Sequence, residues 1–378
     1  MRLLCDAIAF CYGPATVLKR ILEHWRQVCG DITLVGNATT LEYMTRTNLV
    51  DRFIEVDTED LEQIQLVVKG EWDVLLSVCN PVGFSALKHY VMFTVYWDFL
   101  LWMRSSGDAP EFQADRYVVE MYPGCEKAIR KWGNEIPGLV LCPVLADWQE
   151  ASTNLKSEFI IVGLGGQRSK LTQPGVNTIY PELMVDLLQN ATMTCQYPGR
   201  FLVTTDNQTV LQLSKVYKNH QWDFQSLPHE IFLSELDKAK CFITHPGLYS
   251  PFESLGRAVP TFFLPSSNYT QILQLKSFRK IGFAPKSIDW NDILGNDVPN
   301  YLPEPEGIRQ VLKLVNSGNQ SFVRKQLVEE FISWLSTDKS ELDTMINNQR
   351  DAMSPYYGDF NKILLDIIVD AEARINVT

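Results

Sequence analysis

Apolar positions along the chain alternate between two spacings, and the alternation is interrupted once. Residues 3–10 form a nearly unbroken apolar run and predict a first strand, with 12–14 as the turn after it. Val17, Leu18, Ile21, Leu22 and Trp25 recur at helical spacing and predict an amphipathic helix over 15–27. Residues 31–36 predict the next strand. Strand and helix signals then alternate through 53–56, 72–78 and 116–121 toward a domain end near 140–144. Residues 146–157 are polar and aperiodic, which predicts a linker. The alternation restarts at 158–163 and continues through 201–205 and 241–244. A β/α repeat split by one linker predicts an α/β chain of two facing, Rossmann-like, doubly wound domains, 1–145 and 158–350. Beyond Pro303 the pattern is helical. The last segment, 351–378, predicts a C-terminal helix with a strong apolar face over 359–370.

The segment 241–265 carries the most chemistry. Residues 241–244 predict a buried strand, 245–247 break it, 248–257 predict a helix, and 259–264 a second strand. In a parallel sheet, the loop leaving such a strand opens onto a helix N-terminus, whose free N–H groups and dipole favour a phosphate. Glu253, two residues after Pro251, lies early in that helix. Its carboxylate either accepts both hydroxyls of a ribose or stabilises its own helix N-terminus.

His245, Gly247, Ser250, Glu253, Val259, Pro260 and Pro265 stand at the spacing H-x-G-x-x-S-x-x-E-x(5)-V-P-x(4)-P. This resembles the nucleotide-binding signature of GT-B glycosyltransferases of the UDP-glucuronosyltransferase and peptidoglycan N-acetylglucosaminyltransferase type, closely over about 30 residues. The resemblance implies that His245 and the small residues after it face a diphosphate, that Glu253 binds the ribose, and that the final helix crosses back to the first domain. There are departures from the pattern. Pro246 replaces a second Gly, Ala258 replaces the Gly before Val259, and residues 266–271 stand where the family has an Asp-Gln pair that reads donor sugar hydroxyls.

Three other stretches extend this expectation. Gly165, Gly166 and Arg168 follow the first strand of the second domain. The glycines allow close backbone approach to a phosphate, and Arg168 supplies charge, unless the turn is only structural. By the same resemblance a nucleotide base packs near Leu227 and Pro228. His229 either joins that site or sits exposed at a helix start. Asn268, Gln271 and Gln274 lie where a helix begins. The two Gln residues share one face, aimed at sugar hydroxyls or simply polar. In the first domain, Asp98 interrupts the aromatic run 90–103, and a buried carboxylate there is either hydrogen-bonded scaffolding or a general base. The loop 11–14, where the family often carries a basic residue, has no His.

Composition narrows the partners. A hydrophobic fraction of 46% and a charged fraction of 21% over 378 residues suit a globular protein of two domains. The net charge of −11, without a basic stripe, argues against nucleic acid. No run approaches the ~18 apolar residues of a membrane span. The N-terminus reads as a strand, not as a signal peptide, so a cytoplasmic setting is expected. Eight cysteines are scattered without a C-x-x-C, and neither a metal cluster nor an Asp-x-Asp motif in strand–loop context appears. The expectation is a metal-independent, inverting enzyme without cofactor. It would move a sugar from a nucleotide-diphosphate donor, UDP foremost, to a small acceptor such as a natural product or a sugar. The alternatives are a sugar-nucleotide 2-epimerase of the same fold and a repurposed, non-catalytic nucleotide-binding protein.

Overall fold

The computed structural model describes residues 1–105, 113–148, 159–169, 172–217, 219–299 and 302–377; the expected linker therefore lies outside the described residues from 149 onward. Two compact units emerge, Met1–Leu145 with Tyr356–Thr378, and Ala146–Pro355.

The first unit begins β1 (Arg2–Ala7), α1 (Gly13–Trp25), β2 (Asp31–Gly36), α2 (Ala38–Met44), β3 (Arg52–Glu55) and α3 (Leu61–Val67). It continues with β4 (Val74–Val78), α4 (Pro81–Leu87), β5 (Phe93–Asp98), β6 (Arg116–Glu120), α5 (Cys125–Trp132) and β7 (Leu139–Cys142). All strands are parallel, in the order β3-β2-β1-β4-β5-β6-β7, so the direction of winding reverses between β1 and β4. Burial on both faces explains why β1 and β4 read as continuous apolar runs. The same property hid β5, whose aromatic run has no period of two. Tyr96 packs edge-on against Phe84 and tilted against Tyr117. The first strand is shorter than the 3–10 expected. Pairing with β4 ends at Ala7↔Val78, Phe10 N–H turns back to the Ile8 carbonyl, and Cys11 adopts φ 50°.

The second unit runs β8 (Ile160–Gly165), α6 (Tyr180–Thr194), β9 (Phe201–Thr205), α7 (Asn207–Val216), β10 (Trp222–Gln225) and α8 (His229–Lys238). Then follow β11 (Cys241–Thr244), α9 (Ser250–Gly256), β12 (Thr261–Phe263) and α10 (Tyr269–Lys280). The tail is helical: α11 (Trp290–Leu294), α12 (Glu304–Ser317), α13 (Ser321–Leu335) and α14 (Lys339–Met353). The sheet is parallel, ordered β10-β9-β8-β11-β12, with its reversal between β8 and β11. Ile161, Leu202 and Phe242 from the strands meet Phe232 and Leu236 of α8 in one apolar cluster. The edge strand β12 is satisfied by a backbone bridge between Phe263 and Ser287 and, at Thr261, by a side chain. The buried amide of Gln349 accepts from Thr261 N–H at 3.0 Å and donates to the Thr261 carbonyl at 2.7 Å, in place of a further strand.

The helix expected over 248–257 is only the seven residues of α9. It starts at Ser250, where Pro251 suits the first turn, and ends at Gly256, two residues before Ala258, which is left-handed with φ 54°. The last helix, α15 (Phe360–Ile375), belongs to the first unit. It buries Phe360, Leu364, Ile367 and Ile368, and its Leu364 carbonyl accepts from Trp25 Nε1 at 3.2 Å.

Candidate functional site

In a doubly wound sheet, ligands sit at the carboxyl ends of the strands where winding reverses. In the second unit that place is flanked by the loop after β8 and the loop after β11. Thr244 Oγ1 donates to the Gly163 carbonyl at 2.7 Å, locking the two strand ends together. Gly165 is left-handed at φ +61°, and a Cβ there would lie 2.7 Å from His245 Nε2, so only glycine fits against that ring. Gly166 follows it, partly exposed. Gly247 is under no such constraint, since the nearest atom to an added Cβ is 3.6 Å away.

His245 is held from both ring nitrogens. Nε2–H donates to the Leu164 carbonyl at 2.8 Å, and Nδ1 accepts from Gln271 Nε2 at 2.9 Å. These two bonds require the neutral Nε2–H tautomer. Loss of water around the ring pushes its pKa down to about 4, with hydrogen bonds to backbone carbonyls opposing the shift only in part. The imidazole is therefore an uncharged tie between the two loops near neutral pH.

The amides on α10 do not face outward. Gln271 Oε1 accepts from Ser267 N–H at 2.7 Å and Ser267 Oγ at 3.0 Å, while its Nε2 holds His245. Gln274 Nε2 donates to the Gly247 carbonyl at 3.2 Å. Both amides are buried, and they brace the loop after β11. This corrects the reading of Gln271 and Gln274 as sugar-hydroxyl ligands: the two share a face, but that face meets the protein's own loop. Asn268 caps α10, its Oδ1 accepting from Gln271 N–H at 3.0 Å, which accounts for it without a ligand.

Arg168 leans on a residue that sequence reasoning missed. Its Nε lies 3.4 Å from Oδ1 of Asp206, a buried carboxylate that also caps α7 through Thr209 N–H at 3.1 Å. Asp206 accepts from Gln167 N–H as well, at 3.4 Å, so it pins the Gly-rich turn to the end of β9. An Asp between a strand and a helix, three residues before Thr209, was the available signal.

Glu253 and His229 meet. Glu253 Oε1 lies 2.5 Å from His229 Nε2, with side chains 6% and 10% exposed. The exposed alternative for His229 is thereby excluded. Glu253 reaches across to the start of α8. Ser250 stands partly exposed at the start of α9, and Leu227 packs on the core cluster beneath α8.

In the first unit, Asp98 is scaffolding. The buried carboxylate accepts from Tyr117 OH and from Leu100 N–H, both at 2.6 Å. The tentative general-base role is corrected on this ground, because its oxygens already hold β5, β6 and the following turn in place. Its neighbour Glu120 is likewise engaged, by Trp97 Nε1 at 3.1 Å, Tyr122 OH at 2.8 Å and Leu145 N–H at 2.8 Å. At the winding reversal itself sits Asp6, fully buried, with Asn80 Nδ2 donating to its Oδ2 at 2.6 Å. Burial raises its pKa from 3.8 to about 7, and hydrogen bonding to Ser77 and Asn80 lowers it less. Among the described residues no group of three or more His, Cys, Asp or Glu is placed to hold a metal, and no helix is long and apolar enough to cross a membrane.

No protein-family model matches the chain, and no curated protein matches it in sequence. Solved structures do. The chain is similar to LpCGTa in complex with UDP at 12% identity and TM-score 0.55, covering 99% of each chain. It is similar to Arabidopsis thaliana UGT89C1 complexed with quercetin at 10% identity and TM-score 0.57, covering 98% of this chain and 99% of that one. TcCGT1 in complex with UDP follows at 12% identity and TM-score 0.52, covering 99% of each. At such identities the likeness is one of fold, and the fold is the GT-B type with two Rossmann-like units.

Proposed function

We propose that this protein is a glycosyltransferase that moves a sugar from a UDP-sugar to a small-molecule acceptor, without a metal and with inversion. The second unit would bind the donor and the first the acceptor. One observation carries the reading. The Gly165–Arg168 turn and the His245–Gly247 loop meet at the winding reversal of the second sheet, the place where such sheets hold nucleotides, and Glu253 follows in the helix after that loop. Similar structures bound to UDP and to quercetin support the donor and acceptor classes.

In this reading the acceptor oxygen attacks the anomeric carbon, the bond from that carbon to the β-phosphate oxygen breaks, and its electron pair leaves with the diphosphate. The acceptor proton passes to a base. Because His245 is neutral and α9 has only seven residues, the departing charge is met by backbone N–H groups and Arg168, not by an imidazolium or a long helix dipole.

Calorimetric titration with UDP tests the site. Glu253→Ala should weaken binding by about 1–3 kcal/mol, the scale of lost hydrogen bonds to a charged group. Unchanged affinity in a folded variant would remove the ribose assignment. Turnover should survive exhaustive chelation, and loss restored by Mg²⁺ or Mn²⁺ would refute metal independence. A second reading, nucleotide binding without transfer, is favoured by two observations: Asp98 is engaged, and the loop after β1 carries no His. Mass spectrometry of UDP-sugars with and without an acceptor panel separates the cases, since epimerisation needs donor alone and a non-catalytic protein changes neither.

A further inference from the structure

We propose that His229 is the positioning residue of the ribose site, holding the Glu253 carboxylate in the orientation that meets the ribose hydroxyls and so setting a preference for ribonucleotides over 2′-deoxyribonucleotides. This rests on the donor-site reading above. Glu253 has three side-chain torsions, and a ribose diol is recognised only if the carboxylate plane is fixed before the ligand arrives. His229 supplies that restraint. Its Nε2 lies 2.5 Å from Oε1, and both side chains are almost wholly buried. The two residues come from different helices. His229 opens α8 and Glu253 lies in the first turn of α9, so the contact ties two strand-to-helix connections at one sheet edge. A Glu serving only its own helix N-terminus would not need a partner 24 residues away.

The test compares UDP with 2′-deoxy-UDP by calorimetry on the full chain. The unaltered protein should favour UDP about tenfold, the ratio expected for one hydrogen bond to a charged group. His229→Gln places an amide nitrogen near the position of Nε2 and should keep most of that ratio. His229→Asn is too short to reach Oε1 and should bring the ratio to about two or less, with UDP affinity falling further than that of 2′-deoxy-UDP, which offers Glu253 only the 3′-hydroxyl. A brace that only joins the helices would lower both affinities together or neither. A folded His229→Asn variant that retains the tenfold ratio would therefore overturn the proposal. An unaltered protein that binds both nucleotides equally would overturn it as well, leaving the diphosphate site standing. No nucleotide binding at all would overturn the donor-site reading itself, a distinct result.

Discussion

Replacing Asp6 by Asn tests the electrostatics of the first unit. Asp6 is buried at the end of β1, and burial moves its pKa from 3.8 to about 7. Between those two values the native protein binds a proton that the unfolded chain has lost, so stability falls as pH rises through this window. The full gap corresponds to about 4 kcal/mol, at roughly 1.36 kcal/mol per pKa unit. Between pH 5 and pH 8 the part still to be lost is about 3 kcal/mol, because the unfolded carboxyl is already ionised at pH 5. Asn at this position keeps an oxygen for Asn80 Nδ2 and cannot ionise. Relative to wild type, Asp6→Asn should therefore gain about 3 kcal/mol of stability on going from pH 5 to pH 8. Taking the difference between the two proteins cancels the other titrating groups, which are common to both. Urea unfolding at the two pH values, followed by amide exchange in β1 and β4, reads the first unit separately from the second. Parallel pH profiles, agreeing within about 0.5 kcal/mol, would show that Asp6 ionises in the native protein as it does in water and would refute the reasoning.

Other substitutions probe the second unit. Selective ¹⁵N labelling of the histidines should find His245 as the neutral Nε2–H tautomer from pH 8 down to pH 5, consistent with its pKa of about 4; protonation near pH 6.5 would contradict the two-sided hydrogen bonding. Gly165→Ala puts a Cβ 2.7 Å from His245 Nε2 in a left-handed residue, and should cost at least about 1–2 kcal/mol in urea unfolding while weakening UDP binding. Ala258→Gly, at φ 54°, should stabilise the second unit by up to about 1 kcal/mol; a loss of stability would mean that the Ala methyl packs better than its backbone is strained.

The strand–loop–helix unit over 241–256 was legible because its signal is local. A buried strand, a broken loop and a helix start follow each other within 241–256, and the spacing of His245, Gly247 and Glu253 falls on them. What lies opposite each side chain was not legible. Helical spacing correctly placed Gln271 and Gln274 on one face, but nothing in α10 announces that this face meets residues 245–247. Asp98 is the same problem in a sheet. Its partner Tyr117 stands on β6, two residues before the register partner Val119, and no local pattern records that β5 and β6 are neighbours. β5 itself was hidden because a strand buried on both faces loses its alternation.

Buried acids at the carboxyl ends of both sheets show the same problem most clearly. Three strands of the first sheet end in buried carboxylates, Asp6 on β1, Asp98 on β5 and Glu120 on β6. Their donors include Asn, Tyr, Trp and backbone groups, which orient them. In the second sheet Asp206 lies 3.4 Å from Arg168, Glu253 lies 2.5 Å from His229, and His245 stands uncharged between the loops. At both edges each of these acids is held by a group far away in the sequence, so their roles follow from the fold and not from local spacing.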